Sequence, residues 1–314
     1  MSEGGWALPD RYVSRAYDLR MGVRTLPSGA RVIDAGVEVP GGLEAGLMLA
    51  ELCMGGLGRV SYAPITFAGE SWSGVQVWTD HPAASCMASQ YAGWAINPDG
   101  FFAMGSGPLR AKARVEKELF EKLGYAEHAS RGVLVLEGRT LPTDDVASWV
   151  AKKADILASG ITFAVAPTAS LAGGVQIVAR STETGLHKMD TIGFDVARVV
   201  SAIGTAPLPP IAKNDLRAIG RTNDCVLYGG QVRYTVLGED DELAQLAERL
   251  PSSTSADYGT PFYDIFKRYN NDFYKIDPML FSPAEVWLTS ATSGRTFHAG
   301  RTNVDVLRTS LFGG

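Results

Sequence analysis

The string RVIDAGVEVPGGLEAGLMLAELC, residues 31–53, decides how the chain is read. RVIDAGVEV is an apolar run ended by Pro40, the pattern of a strand. GGLEAGLMLAELC then sets Leu43, Leu47 and Ala50 at helical spacing until Gly55 and Gly56 stop it. RVSYAPITFA (59–68) and GVQVWTD (74–80) follow as β-rich runs around a polar, glycine-containing turn. The same order returns about one hundred residues later as RGVLVLEG (131–138), PTDDVASWVAKKADIL (142–157), GITFAVAP (160–167) and GGVQIVAR (173–180). The two strings share ITFA, at Ile65–Ala68 and Ile161–Ala164, and GVQ followed by a β-branched residue, at Gly74–Val77 and Gly174–Ile177. Matches in the same order within matching element strings read as an internal duplication.

Working outward, this predicts an α/β chain with mixed sheets: two similar α/β halves, 1–128 and 129–314, with C-terminal segments free to return to the first half. A ligand pocket is expected between the halves. The uncharged stretch Ile156–Ala179 carries Pro167 and three glycines, and reads as a buried strand pair joined by a turn rather than a membrane span. Between the repeats, GFFAMGSGPLRAKARVEKELFEKLG (100–124) predicts one helix from Pro108, with Ala111, Val115, Leu119 and Leu123 on a stripe. Further on stand an irregular Pro-rich stretch (205–215), a hairpin-like CVLYGGQVRYTVLG (225–238), a helix over Asp240–Leu250, a hairpin around Thr292–Arg295 and a short final helix.

Composition narrows the function. With 314 residues, 46% hydrophobic and 20% charged, the chain has the make-up of an ordinary globular protein. Its formal net charge of −5 and lack of a basic block argue against nucleic acid and favour a small-molecule partner. Cys53, Cys86 and Cys225 form no CxxC pair, and His81, His128, His187 and His298 form no HxH or HExxH spacing, so neither a disulfide framework nor a metal site is expected. The N-terminus lacks the basic and apolar regions of a signal peptide, and a cytoplasmic location is the expectation.

Two places could carry chemistry. At Gly105-Ser106-Gly107, Arg110, Lys112 and Arg114 follow in the first two helical turns, where cations oppose the helix dipole unless an anion sits there. The other reading pairs them with Glu116 and Glu118 in solvent. Arg180 and Glu183 follow an almost charge-free strand region, and residues three apart meet on one helical face or across a turn. Asp80 and His81 end the corresponding strand of the first repeat. A catalytic or ligand-binding pair and a structural salt bridge both fit these residues. Absence of GxSxG and GxGxxG leaves serine hydrolase and dinucleotide chemistry without support.

At these residues the sequence resembles the methenyltetrahydromethanopterin cyclohydrolases. The likeness runs through nearly the whole chain: DAG and EAG near Asp34 and Glu44, CMGGLG (53–58), QYAGW (90–94), FFAMGSGP (101–108), APTASLAGGVQ (166–176), the R-x-x-E of Arg180 and Glu183, GRTNDCVLYGG (220–230), PSSTSADYGTPF (251–262) and DFYKIDPMLFSPAE (272–285). The resemblance implies hydrolysis of a cyclic methenyl-pterin cation to the 5-formyl pterin, a two-domain α/β subunit, and a homo-oligomer, a trimer in the archaeal type. It implies no metal and no organic cofactor. Tyr91 stands where archaeal members carry a lysine, and the wording around it is closer to the methylotrophic bacterial type. Arg180 and Glu183 match the pair that flanks the reacting carbon and its water: a carboxylate complements an amidinium-like cation and can take a proton from water, while Arg180 orients it. Asp80, His81, Gly105, Ser106, Gly107 and Arg110 complete the expected substrate contacts. A non-catalytic pterin-binding protein and an enzyme acting on a related tetrahydrofolate are the alternatives.

Overall fold

A computed structural model describes residues 3–67, 69–91 and 93–313, with side chains from Leu8 onward. Ala68 of the first ITFA and Ala92 of QYAGW lie outside the described residues. The chain forms two compact units, one of Met1–Gly58 with Ala84–Gln176 and one of Arg59–Ala83 with Ile177–Gly314.

The first unit opens with α1 (Glu3–Val13), β1 (Gly22–Thr25), β2 (Arg31–Asp34) and α2 (Leu43–Cys53); β3 (Gly58–Phe67) and β4 (Glu70–Thr79) then run in the second unit. After a wide π-type helical turn, Ala83–Gln90, the first unit resumes with β5 (Trp94–Ile96), β6 (Ala103–Ser106), α3 (Pro108–Ala113), α4 (Lys117–Leu123), β7 (Gly132–Glu137), α5 (Asp144–Ala154), β8 (Ile161–Ala166) and α6 (Leu171–Val178). The second unit takes the rest: α7 (Ser181–Thr191), β9 (Val199–Pro207), α8 (Asp215–Gly229), β10 (Gln231–Val236), α9 (Asp240–Arg249), α10 (Phe262–Arg268), β11 (Glu285–Ser290), β12 (Thr296–Gly300) and α11 (Val304–Phe312).

Each unit holds one six-stranded mixed sheet, in the orders β1-β2-β8-β7-β6-β5 and β12-β11-β10-β9-β4-β3. In the first sheet β2, β8 and β7 run parallel, with Val32 opposite Phe163 and Leu134 opposite Phe163 on the other side. Both faces are covered. Leu134, Leu136, Phe163 and Val165 pack with Val146 and Val150 of α5, while Val133, Val135 and Ala164 pack with Met48, Leu49 and Leu52 of α2. Burial on both faces is why VLVL reads as a continuous apolar run rather than an alternating one.

The two α/β halves with mixed sheets are present, but the repeated strings do not each build one. Their first strands, β2 and β7, lie in one sheet with β8 between them, and the units do not divide at residues 128 and 129. GGVQIVAR is not a strand. Ser170 accepts a hydrogen bond from Gly173 N at 3.0 Å, the geometry of a helix cap, and Ala172, Val175 and Val178 form one buried helical stripe. The close approach of that stripe to α2 needs Gly46, where a Cβ would stand 2.5 Å from Val175. Ile156–Ala179 is therefore strand, turn and helix.

Other local differences have local causes. RVIDAGVEV stops as a strand at Asp34, whose carboxylate accepts from the backbone N–H groups of Gly36, Val37 and Glu38 at 2.7–2.9 Å and curls the chain. The helix from Pro108 is two helices, broken at Arg114, which takes the left-handed conformation at φ 48°. CVLYG is the end of α8, capped at its start by Asn214 accepting from Arg217 N at 3.0 Å, so only QVRYTV is a strand. The expected helix at 240, the hairpin of β11 with β12 and the final helix are found where the pattern places them.

Asp224 on α8 is fully buried and ties two further helices to it, accepting from Phe262 N at 2.8 Å and Ser310 Oγ at 2.5 Å. Burial pushes its carboxyl up to about 7, against the lowering effect of those two bonds. Between the ordinary carboxylate range and about 7 the folded chain holds a proton that the unfolded chain has released, so stability falls as pH rises through that window. Asp224→Asn removes this titration while keeping the shape. Urea midpoints measured from pH 4 to pH 8 should fall less steeply in the variant; an identical slope contradicts the assignment.

Candidate functional site

Arg180 is the N-cap of α7 and Glu183 lies in its first turn. Helix α6 has ended two residues earlier, so the sequence R-x-x-E occupies the corner between two consecutive helices. Both charged residues are buried, at 8% and 5% exposure. Burying a guanidinium and a carboxylate costs several kcal/mol per ion unless they are paired or bonded, which sets this pair apart from surface decoration. Glu183 also lies at the helix end where backbone N–H groups favour a negative charge. Thr184 N donates to Arg180 O at 3.0 Å and continues the turn.

The turn rests directly on the second unit's sheet. Tyr234 of β10 donates its hydroxyl to Thr182 O at 2.8 Å. A Cβ on Gly204 of β9 would stand 2.7 Å from Ser181 Oγ, and one on Gly185 would stand 2.0 Å from Tyr234 Oη. Lys188, with no exposed surface, donates to Pro251 O, Thr254 Oγ1 and Met279 O at 2.7–2.8 Å. Burial pulls its ammonium down to about 8, against the raising effect of Asp277, so it is mostly charged at pH 7. Nothing in the sequence singled out Tyr234, Gly185 or Lys188 as residues that hold this helix. Tyr234 reads as one more aromatic in a strand, and a lysine in a helix reads as solvated.

Asp80 and His81 follow β4 in the same unit, both exposed, with His81 N donating to Thr79 Oγ1 at 3.0 Å. Asp80 borders a depression of about 400 Å³ that is also lined by Trp78, Ile203, Arg233 and Thr235.

Gly105, Ser106, Gly107 and Arg110 belong to the first unit. Gly107, at φ 104°, turns the chain from β6 into α3 and donates its N–H to Ser89 O at 2.7 Å. Ser106 Oγ lies 3.2 Å from Cys53 Sγ, which donates to Gln176 Oε1 at 3.8 Å. Three of the glycine-rich segments that carry the resemblance meet there. Arg110 is neither a solvated residue nor a ready anion cradle. It has no exposed surface; its Nη1 donates to Met87 O and Ala88 O at 2.9 Å, its Nη2 lies 2.8 Å from Glu116 Oε2, and its guanidinium lies 4.7 Å from the Tyr91 ring centre. The helix it begins has six residues. Among the described residues, no three His, Cys, Asp or Glu side chains are gathered to hold a metal ion, and no helix is long and apolar enough to cross a membrane.

A family model described as cyclohydrolase (MCH) matches residues 2–311. A methenyltetrahydromethanopterin cyclohydrolase of Methylobacillus flagellatus is 48% identical over 300 residues, covering 95% of this chain and 91% of its own. One from Rhodopirellula baltica is 48% identical over 299 residues, covering 93% and 90%. One from Methanococcoides burtonii is 42% identical over 312 residues, covering 99% and 98%.

The surroundings of Arg110 generate a stability prediction. Arg110→Met removes the donors to two buried carbonyls and leaves Glu116 without its cation, a loss of about 3 kcal/mol. Thermal unfolding should begin several degrees lower, while KM for the folded fraction changes little. A raised KM at unchanged melting temperature contradicts the structural reading.

Proposed function

Because the chain belongs to the methenyltetrahydromethanopterin cyclohydrolase family and is a hydrolase, we propose that it opens the ring of the cyclic methenyl-tetrahydromethanopterin cation with Glu183 as base. The observation that supports this role is the burial of Glu183 and Arg180 at the start of α7, in the R-x-x-E spacing.

The substrate carbon is electrophilic because it shares a positive charge with two ring nitrogens. Water adds to it: a carbon–oxygen bond forms, the π pair of the carbon–nitrogen bond returns to nitrogen, and Glu183 takes a proton from the water. The adduct is neutral. Its collapse forms the formyl C=O on one nitrogen and breaks the bond to the other, which takes the proton held by Glu183. The remaining hydroxyl proton leaves to solvent, so one cation and one water give a neutral formyl pterin and one proton. Arg180 orients the carboxylate. On this reading no metal or organic cofactor takes part, because the electrophile is supplied by the substrate itself.

A general base contributes typically 10²- to 10⁴-fold. Glu183→Gln keeps shape and hydrogen bonding but cannot accept the proton, and should lower kcat by on the order of 100-fold, read from the loss of methenyl absorbance. Retention of more than about a tenth of the turnover, a loss of only ~1.4 kcal/mol, overturns the assignment.

A further inference from the structure

Arg180, the N-cap residue of α7, makes no side-chain capping hydrogen bond. Helix ends without caps fray, yet this turn carries Glu183. We propose that Tyr234, reaching across Gly185, and Lys188 near the far end of the helix are positioning residues that fix where the Glu183 carboxylate stands. The proposal rests on the reading of Glu183 as base.

Tyr234 holds the turn through the hydroxyl bond to Thr182 O, the carbonyl next to Glu183. The bond needs a helix face without a side chain. At Gly185 a Cβ would overlap Tyr234 Oη at 2.0 Å and press on Pro283 Cδ at 3.3 Å. Gly204 opens the neighbouring strand in the same way, where a Cβ would meet Ser181 Oγ at 2.7 Å and Thr182 Cγ2 at 3.0 Å. The turn thus packs on β9 and β10 through the side chains of Ser181, Thr182 and Tyr234, which fill the space that Gly204 and Gly185 leave open.

Lys188 fixes the other end. Its three acceptors belong to the segments around Pro251–Thr254 and Met279. The first of these is itself held by Ser252, whose N–H donates to Pro283 O at 3.0 Å and whose hydroxyl donates to Leu227 O at 2.5 Å. A helix held at both ends can neither slide nor rotate freely on the sheet. A misplacement of about 1 Å at a reacting group can cost on the order of 100-fold in rate, so such a clamp bears on turnover as well as on stability.

Tyr234→Phe keeps the ring and deletes only the hydroxyl. Per mole of folded enzyme, kcat should fall about 10-fold with KM within about twofold of wild type, the signature of an interaction that matters in the transition state. Lys188→Met and Gly204→Ala, which disturb the helix from its far end and from β9, should move kcat in the same direction and serve if Tyr234→Phe does not fold. In a Glu183→Gln background Tyr234→Phe should have little further effect, because both changes act on one group. Folded variants that lose thermal stability but keep kcat overturn the proposal, as does an undiminished effect of Tyr234→Phe in the Glu183→Gln background. Active Glu183→Gln instead removes the base itself, and is distinguished by that single variant.

Discussion

Two opposite charges buried at the beginning of one helix set the terms for the second unit. Removing a carboxylate and a guanidinium from water is expensive, and a fold tolerates it only where bonds and packing hold them in one arrangement. The sequence around α7 answers that constraint in several ways at once. Glycines at 185 and 204 leave room for the side chains of Tyr234, Ser181 and Thr182 between helix and strands, Tyr234 bonds its first turn, and Lys188 ties its far end to the loops beyond. Those loops are the PSSTSADYGTPF and DPMLFSP segments, whose own carboxylates are spent on local bonds. Asp277 accepts from Ser255, Ala256 and Met279, and Asp257 from Tyr269 and Asp277 N. Long near-unbroken motifs far from the R-x-x-E pair thus have a physical reason to accompany it.

The elements that the sequence made legible are those whose period is undisturbed. Strands β3, β4, β7 and β8 and helices α2, α5 and α9 follow from apolar spacing and from acidic first turns. The misreading of GVQIV has one cause: a short apolar run of this kind fits a strand or a buried helix equally well. Ser170 and the glycine of α2 at 46 decide between them, and neither lies within the run. The repeat of GVQ misled for the same reason, since one copy lies in β4 and the other in α6. Sheet partners are less legible still. That β8 lies between β2 and β7 depends on its pairing with β2, 131 residues away at Arg31 and Thr162, as well as with β7, 29 residues away at Gly132 and Ile161, which no local pattern encodes.

For the candidate site, the R-x-x-E spacing singled out Arg180 and Glu183 in the sequence, and the structure adds that both are buried at a helix start. Arg110 shows the opposite case. Its charge and its place after a glycine turn invite an anion, but the carbonyls of Met87 and Ala88, presented by the wide helical turn at 83–90, occupy its Nη1, and Glu116 lies against its Nη2. Backbone carbonyls leave no mark in a sequence, so a buried arginine that serves them looks the same on paper as one that awaits a ligand.

The charges explain why such a site should be dry. On the proposed mechanism, the step that adds water begins with a carboxylate facing a cation and ends with a neutral acid beside a neutral adduct. Water stabilises the separated charges at the start more than the neutral pair at the end, so a site that excludes solvent favours progress along the reaction. Arg180 enters this balance twice. It attracts the carboxylate, which opposes proton transfer, and it repels the substrate cation, a repulsion relieved as the adduct loses its charge. Only interactions that differ between ground and transition state accelerate a step, so the contribution of Arg180 depends on whether its guanidinium is closer to the carboxylate or to the reacting carbon. Fixing that difference in distance is, on the proposed mechanism, a task for the start of α7, and on that mechanism the bonds that hold α7 in place belong to the chemistry as much as to the fold.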